Sequence, residues 1–162
     1  MTDGFVLTRS DRENGGFGGT TLLAGLRHSA AASTFEAAIG PGFDVGAHRH
    51  VTVEELFYVL EGSVYLLCFE PRDLTNPNWR QWESADGARV VRAGPGAFMF
   101  VPPGCPHAFA NPGPGVARLL FQTIPAGHEE YLAALRNRGA ETVEQVRLRY
   151  GIEQLTPIGA FR

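Results

Sequence analysis

Lysine is absent from this chain: all 14 basic side chains are arginine. Catalysis through a lysine Schiff base is therefore excluded. Cysteine is scarce, and the two present, Cys68 and Cys105, make neither a disulfide framework nor a CxxC site. Long apolar runs are missing as well. The longest, such as Leu56–Leu60 and Ala97–Val101, fall far short of the ~20 residues that a membrane helix requires. No basic cluster stands out, and 14 arginines face 17 acidic side chains for a formal charge of −3. The electrostatic footprint of a binder of nucleic acid or of an anionic membrane is lacking. Met1, Thr2, Asp3 and Gly4 provide neither the basic head nor the apolar core of a signal peptide, so the expected compartment is the cytoplasm.

What is present fits one globular domain. The chain has 162 residues, 44% of them apolar and 19% charged, enough to bury a substantial core. Residues 1–19 are polar and end in Gly15-Gly16-Phe17-Gly18-Gly19. The glycine spacing does not match a dinucleotide-binding loop, so a flexible N-terminal arm is expected. From Thr20 to about residue 125, short apolar or alternating runs are separated by Gly and Pro. Strands are expected near Thr20–Arg27, Thr34–Ile39, Val45–His50, Glu54–Leu60, Ser63–Phe69, Ala88–Arg92, Ala97–Val101, Pro106–Ala110 and Val116–Ile124. This is the pattern of an all-β sandwich or barrel. Several strands are apolar on both faces, as in Leu56, Tyr58 and Leu60 alternating with Phe57 and Val59, so both faces must be covered.

Residues 126–162 differ in character. Gly127–Arg138 and Glu141–Tyr150 carry apolar side chains at helical spacing: Tyr131, Leu132 and Leu135, then Val143, Val146 and Tyr150. Acidic Glu129 and Glu130 open the first helix and Arg136 and Arg138 close it, which suits the helix dipole. Two short helices cannot enclose a core of their own and are expected to lie against the barrel.

Four residues carry the chemistry. His48 and His50 are two apart, so on a strand their imidazoles share a face. Glu55 is an odd five residues from His50, and the chain must turn or bulge between them for the carboxylate to reach those rings. Downstream, Pro103-Gly104 makes a tight turn into a strand bearing His107. Three imidazoles and a carboxylate suit one divalent transition metal per chain, Fe, Mn, Ni, Co or Zn, better than calcium or magnesium. His28 and His128 are read as surface residues, since His128-Glu129-Glu130 does not complete HExxH. Cys105 is read as a small buried thiol.

At these residues the chain resembles the cupin superfamily. The first cupin motif reads Gly42, five residues, His48-Arg49-His50, four residues, Glu55, six residues, Gly62. The second reads Gly96, five residues, Pro102-Pro103-Gly104, two residues, His107, three residues, Asn111. Both are complete, and Ser63–Pro95 separates them. The resemblance implies a double-stranded β-helix, the jelly-roll barrel, with a short C-terminal helical tail and the metal held by His48, His50, Glu55 and His107 in its mouth.

Four protein ligands on an octahedral ion leave two positions open for chemistry. Phe57, Val59 and Phe109 share the phase of Glu55 and His107 and are expected to make the surrounding substrate pocket apolar. The leading expectation is an oxygen-dependent dioxygenase of the quercetinase-like kind, acting on an aromatic or enolisable small molecule, with Glu55 as the catalytic base. The alternatives are a non-redox metal-dependent isomerase or cyclase and a non-catalytic module that binds metal and a small molecule. Glu70–Gly87, with Trp79 and Trp82, is either a lid or a loop docked on the barrel wall. A two-fold homodimer through the barrel's sheet is expected to cover the remaining apolar surface.

Overall fold

The computed structural model describes residues 3–12 and 19–157. Ten strands are placed in two antiparallel five-stranded sheets. They are β1 (Thr20–Ala24), β2 (Ser33–Ile39), β3 (His48–His50), β4 (Glu54–Glu61), β5 (Val64–Cys68), β6 (Val91–Ala93), β7 (Phe98–Val101), β8 (His107–Ala110), β9 (Ala117–Ile124) and β10 (Ile152–Gln154). One sheet runs β1-β2-β9-β4-β7 and the other β10-β3-β8-β5-β6. This is an all-β jelly roll. Among the described residues two α-helices, α1 (His128–Arg136) and α2 (Val143–Arg149), stand between β9 and β10.

The core lies between the sheets and follows strand alternation. On β9, Ala117, Leu119, Phe121 and Thr123 are buried while their neighbours are half-exposed. Phe121 stacks on Phe35 of β2 at 4.7 Å and on Phe57 of β4 at 5.7 Å. Each ring contributes roughly 1.5–3 kcal/mol by leaving water, plus about 0.5–1.5 kcal/mol per ring pair. α1 lays Tyr131, Leu132 and Leu135 onto this core and α2 adds Val143 and Val146.

The outer face of the second sheet has its own cover. Trp79 and Trp82 are buried with Val45, Ala47, Leu67, Ala108 and Ala110. The Trp79 indole N–H donates to the Asp44 carboxylate at 2.9 Å, and the Trp82 indole donates to the Asn76 carbonyl at 2.8 Å. The excursion between the motifs is thus docked on the barrel wall, supplying the second cover that doubly apolar strands require.

Local geometry departs from expectation in two places. The strand expected from Val45 starts only at His48, because Gly46 adopts φ +72; a Cβ there would come within 2.7 Å of the Gln154 side-chain amide and 3.0 Å of the Pro157 carbonyl. The chain after the helices, in the stretch expected only as a helical tail, forms β10 and pairs with β3. Of the expected N-terminal arm, residues 3–12 carry a 3₁₀ turn, Arg9–Asp11, and Arg12 pairs with Glu36 at 2.7 Å. Gly15, Gly16, Phe17 and Gly18 lie outside the described residues. No helix among the described residues is long and apolar enough to cross a membrane.

Candidate metal centre

The site is built where the two sheets approach each other at one end of the barrel. His48 and His50 are both buried on β3, with the half-exposed Arg49 pointing the other way between them. Residues 51–53 carry the chain from the second sheet to the first, so Glu55 enters from β4 and meets the imidazoles across the interior. His107 starts β8, directly opposite His48 in the β3–β8 pair. It is delivered by the turn at Pro102–Cys105, closed by the Cys105 N–H donating to the Pro102 carbonyl at 3.2 Å. Gly104 supplies the φ of +80 that this turn needs. Its N–H donates to the His50 carbonyl at 2.7 Å, tying the turn to the HxH strand. Asn111, the last residue of the second motif, is buried, and its amide donates to the carbonyls of Ile39 and Gly115, both at 2.8 Å.

His48, His50, Glu55 and His107 converge, with one ligand atom from each lying within 4.8 Å of all the others. Ligand bonds of ~2.0–2.3 Å span about 4–4.6 Å across one ion, so only small side-chain adjustments are needed to close the shell. His48 Nδ1 lies 2.8 Å from the Gly46 carbonyl and His107 Nδ1 lies 3.0 Å from the Cys105 carbonyl. Nδ1 donates in both, which leaves Nε2 free to bind metal; such outer hydrogen bonds orient metal-binding histidines. The fit is marked by two orphaned atoms. Glu55 Oε2 and His107 Nε2 are buried without a hydrogen-bond partner, yet they stand 2.6 Å apart. An ion between such atoms satisfies both, and the N/O donor set suits a transition metal.

Electrostatics keep the set ready for a cation. Burial pushes the His48 imidazole well below its ordinary range, with the neighbouring His107, Arg147 and His50 adding to the effect. Burial also lowers His50, to about 4, against the pull of Glu55. Burial alone would raise the Glu55 carboxyl, but His50 and His107 outweigh it and hold the group ionised. His107 is the exception. Burial would lower it, but the Glu55 carboxylate facing it raises it.

His48, His50 and Glu55 border a cavity of about 80 Å³, well below the ~300–1,000 Å³ of pockets for drug-sized ligands, while His107 is fully buried and outside its lining. Phe57 and Phe109 line it, as do Phe43 and Phe121. Val59, one pleat beyond Phe57, is 1% exposed and belongs to the core rather than to the lining. His128, expected on the surface, is a lining residue instead, because the first turns of α1, capped at Gly127, lie against the cavity. Its ring lies 5.9 Å from His50 and 5.0 Å from Tyr131. Tyr131, Leu132, Leu135 and Arg147 complete this side, so the helical tail closes the cavity that the tryptophan loop leaves alone. Tyr131 and Leu135 were visible as the apolar stripe of α1. Arg147 was overlooked, although it stands four residues after Val143 and so shares its buried face. His28 is exposed. Cys105 is half-buried rather than buried, with its Sγ 3.8 Å from that of Cys68.

Comparison with known proteins agrees with this architecture. The sequence profile described as cupin matches residues 20–153. No curated protein matches. Among solved structures, an RmlC-like cupin from Shewanella frigidimarina is similar at 19% identity, with TM-score 0.50 and coverage of 70% of this chain and 83% of that one. KdgF from Halomonas sp. is similar at 13% identity, with TM-score 0.50 and coverage of 69% and 85%. A protein with a double-stranded β-helix domain from Klebsiella pneumoniae gives 14% identity, TM-score 0.49 and coverage of 67% and 76%.

Proposed function

This chain belongs to the cupin family, and from that premise we propose that it is a metal-dependent enzyme acting on a small enolisable molecule, by oxygen-dependent dioxygenation. One observation carries the reading: four buried side chains able to hold an ion converge, and three of them, His48, His50 and Glu55, stand in the wall of a small cavity otherwise lined largely by phenylalanines and aliphatic groups. A divalent transition ion there supplies Lewis acidity toward a substrate oxygen and, where the ion is redox-active, the means to use dioxygen.

The protein's own side chains do the rest. Phe43, Phe57, Phe109 and Phe121 exclude water and receive the apolar part of the substrate. The carbonyls of Gly46 and Cys105 hold His48 and His107 in the orientation that aims Nε2 inward. Glu55 is a ligand first and, in this scheme, also takes the proton next to the substrate carbonyl. Its lowered pKa makes it a weak base, so this second role suits only an acidic substrate proton. Iron, manganese, nickel, cobalt and zinc all fit the donor set.

A second reading is non-redox isomerisation or cyclisation. It is favoured by His128 and Tyr131, two groups able to carry a proton in the same wall. Oxygen uptake by protein loaded with Fe(II), Mn(II) or Ni(II) separates the two. Small 1,3-diketones are expected to drive oxygen consumption and flavonols to be poor substrates, given the cavity's size. Substrate conversion without oxygen uptake supports the second reading. Binding without conversion, across all metals, leaves a binding module.

A further inference from the structure

Arg147 is 2% exposed, although it sits on a seven-residue helix whose Glu144, Gln145, Leu148 and Arg149 face solvent. Taking a guanidinium out of water is costly, so a buried one is held by specific contacts. Here Nε donates to the Tyr131 hydroxyl at 3.1 Å, and one terminal nitrogen donates to the Val45 carbonyl at 3.2 Å and to Gln154 Oε1. Tyr131 and Val45 line the cavity beside Arg147 itself. Gln154 lies directly opposite His48 in the β10–β3 pair. The cation is therefore fixed in the cavity wall, one strand from a candidate metal ligand.

The charge balance of that wall favours an anion. Glu55 is the sole acidic side chain among the described lining residues. A divalent ion on the four residues would add its charge beside that of Arg147 in a water-poor setting, where each charge acts strongly.

We propose that Arg147 recognises the anionic end of the substrate, and that the substrate class is small carboxylates bearing a carbonyl or hydroxyl oxygen. The carboxylate lies toward Arg147 and the second oxygen toward His48, His50, Glu55 and His107. This inference rests on the reading of those four residues as a metal centre. The cavity's size limits the acid to a few carbons. A guanidinium that merely fastened α2 to the barrel would leave the metal's own preference for an acid over its neutral analogue unchanged when it is replaced, and this separates the two roles.

The test is calorimetric titration of Zn(II)-loaded protein with pyruvate and with pyruvamide, a neutral molecule of nearly the same shape, after elemental analysis of zinc. Pyruvate is expected to bind roughly tenfold or more tightly than the amide, as one charge-assisted contact warrants. Arg147→Met should keep one zinc per chain and lose the preference, while Arg147→Lys should keep part of it. Equal affinities in the parent protein, no binding of either, or an undiminished preference in Arg147→Met overturns the proposal. If Arg147→Met does not fold, Arg147→Lys decides, with a reduced preference supporting the proposal and an unchanged one overturning it. If zinc does not bind, the metal reading fails by itself. The same pair titrated into metal-free protein then judges Arg147, with a preference for pyruvate supporting it and none overturning it.

Discussion

His48 and His107 stand directly opposite each other in the antiparallel pair of β3 and β8, their ring centroids 4.3 Å apart. One comes from the HxH motif and the other from the turn after Pro102, and the register of the two strands alone brings them face to face. Each is oriented by a backbone carbonyl two residues before it in the chain. The local backbone therefore aims both rings inward without help from a distant side chain.

Removing His107 and neutralising Glu55 should have different consequences. His107→Ala takes away a ligand and is expected to lower metal occupancy and turnover together. Glu55→Gln keeps the shape and one oxygen ligand. If Glu55 also accepts the proton, turnover should fall by roughly 10²–10⁴ while occupancy falls much less. Elemental analysis beside steady-state rates measures both, and equal losses in both variants would leave Glu55 as a ligand only.

Acid should destabilise the metal-free protein. His50 is lowered to about 4 from its ordinary 6.5, chiefly by burial, and His48 and His128 are lowered by burial too. Between pH 6.5 and 4 the unfolded chain takes up protons that these folded imidazoles refuse, so stability drops as pH falls through that window. For His50 alone the shift is worth about 3 kcal/mol. His107, raised by Glu55, works the other way, but its contribution is gained above this window and changes little within it. The melting temperature of metal-free protein is expected to fall steadily from pH 6.5 to 4.5, and a flat or rising trend contradicts this. At pH 7, adding metal should raise the melting temperature, since the ion binds the folded site and hardly the unfolded chain.

Trp79 serves the barrel wall and not the site. Trp79→Ala removes a side chain 2% exposed and should cost about 3–5 kcal/mol of stability. Metal affinity, measured below the lowered melting point, should change by no more than a few-fold. A large loss of affinity at unchanged stability would place the loop in the site after all.

Quaternary structure is the fourth expectation. Tyr58, Phe98 and Phe100 of the paired strands β4 and β7 are 43%, 59% and 46% exposed. These side chains make the outer face of the first sheet apolar, which suits a two-fold homodimer through that sheet. Light scattering at micromolar concentration should give twice the 17.6 kDa chain mass; a monomer mass rejects it.

The convergence of the four side chains was legible in the sequence because each placement follows from a local rule. Strand alternation puts His48 and His50 on one face, the odd spacing demands a turn before Glu55, and Pro103-Gly104 makes the turn before His107. The nine barrel strands were legible for the same reason, with their ends displaced by a few residues. What closes the cavity was not. β10 has three residues, of which only Ile152 is apolar, so no periodicity announces it, and its pairing with β3 is purely tertiary. His128 could be read as a helix start, but where that helix is aimed depends on the barrel it lies against. Arg147 carried a helical-face signal, the four-residue step from Val143, that its charge concealed.

The central claim is that these four side chains hold one ion, and anomalous diffraction at the absorption edge of a soaked metal tests it most directly. The account predicts a single peak per chain within about 2.0–2.3 Å of a nitrogen from each of His48, His50 and His107 and of an oxygen from Glu55. No peak in metal-replete crystals, or a peak elsewhere with those side chains turned apart, would contradict it.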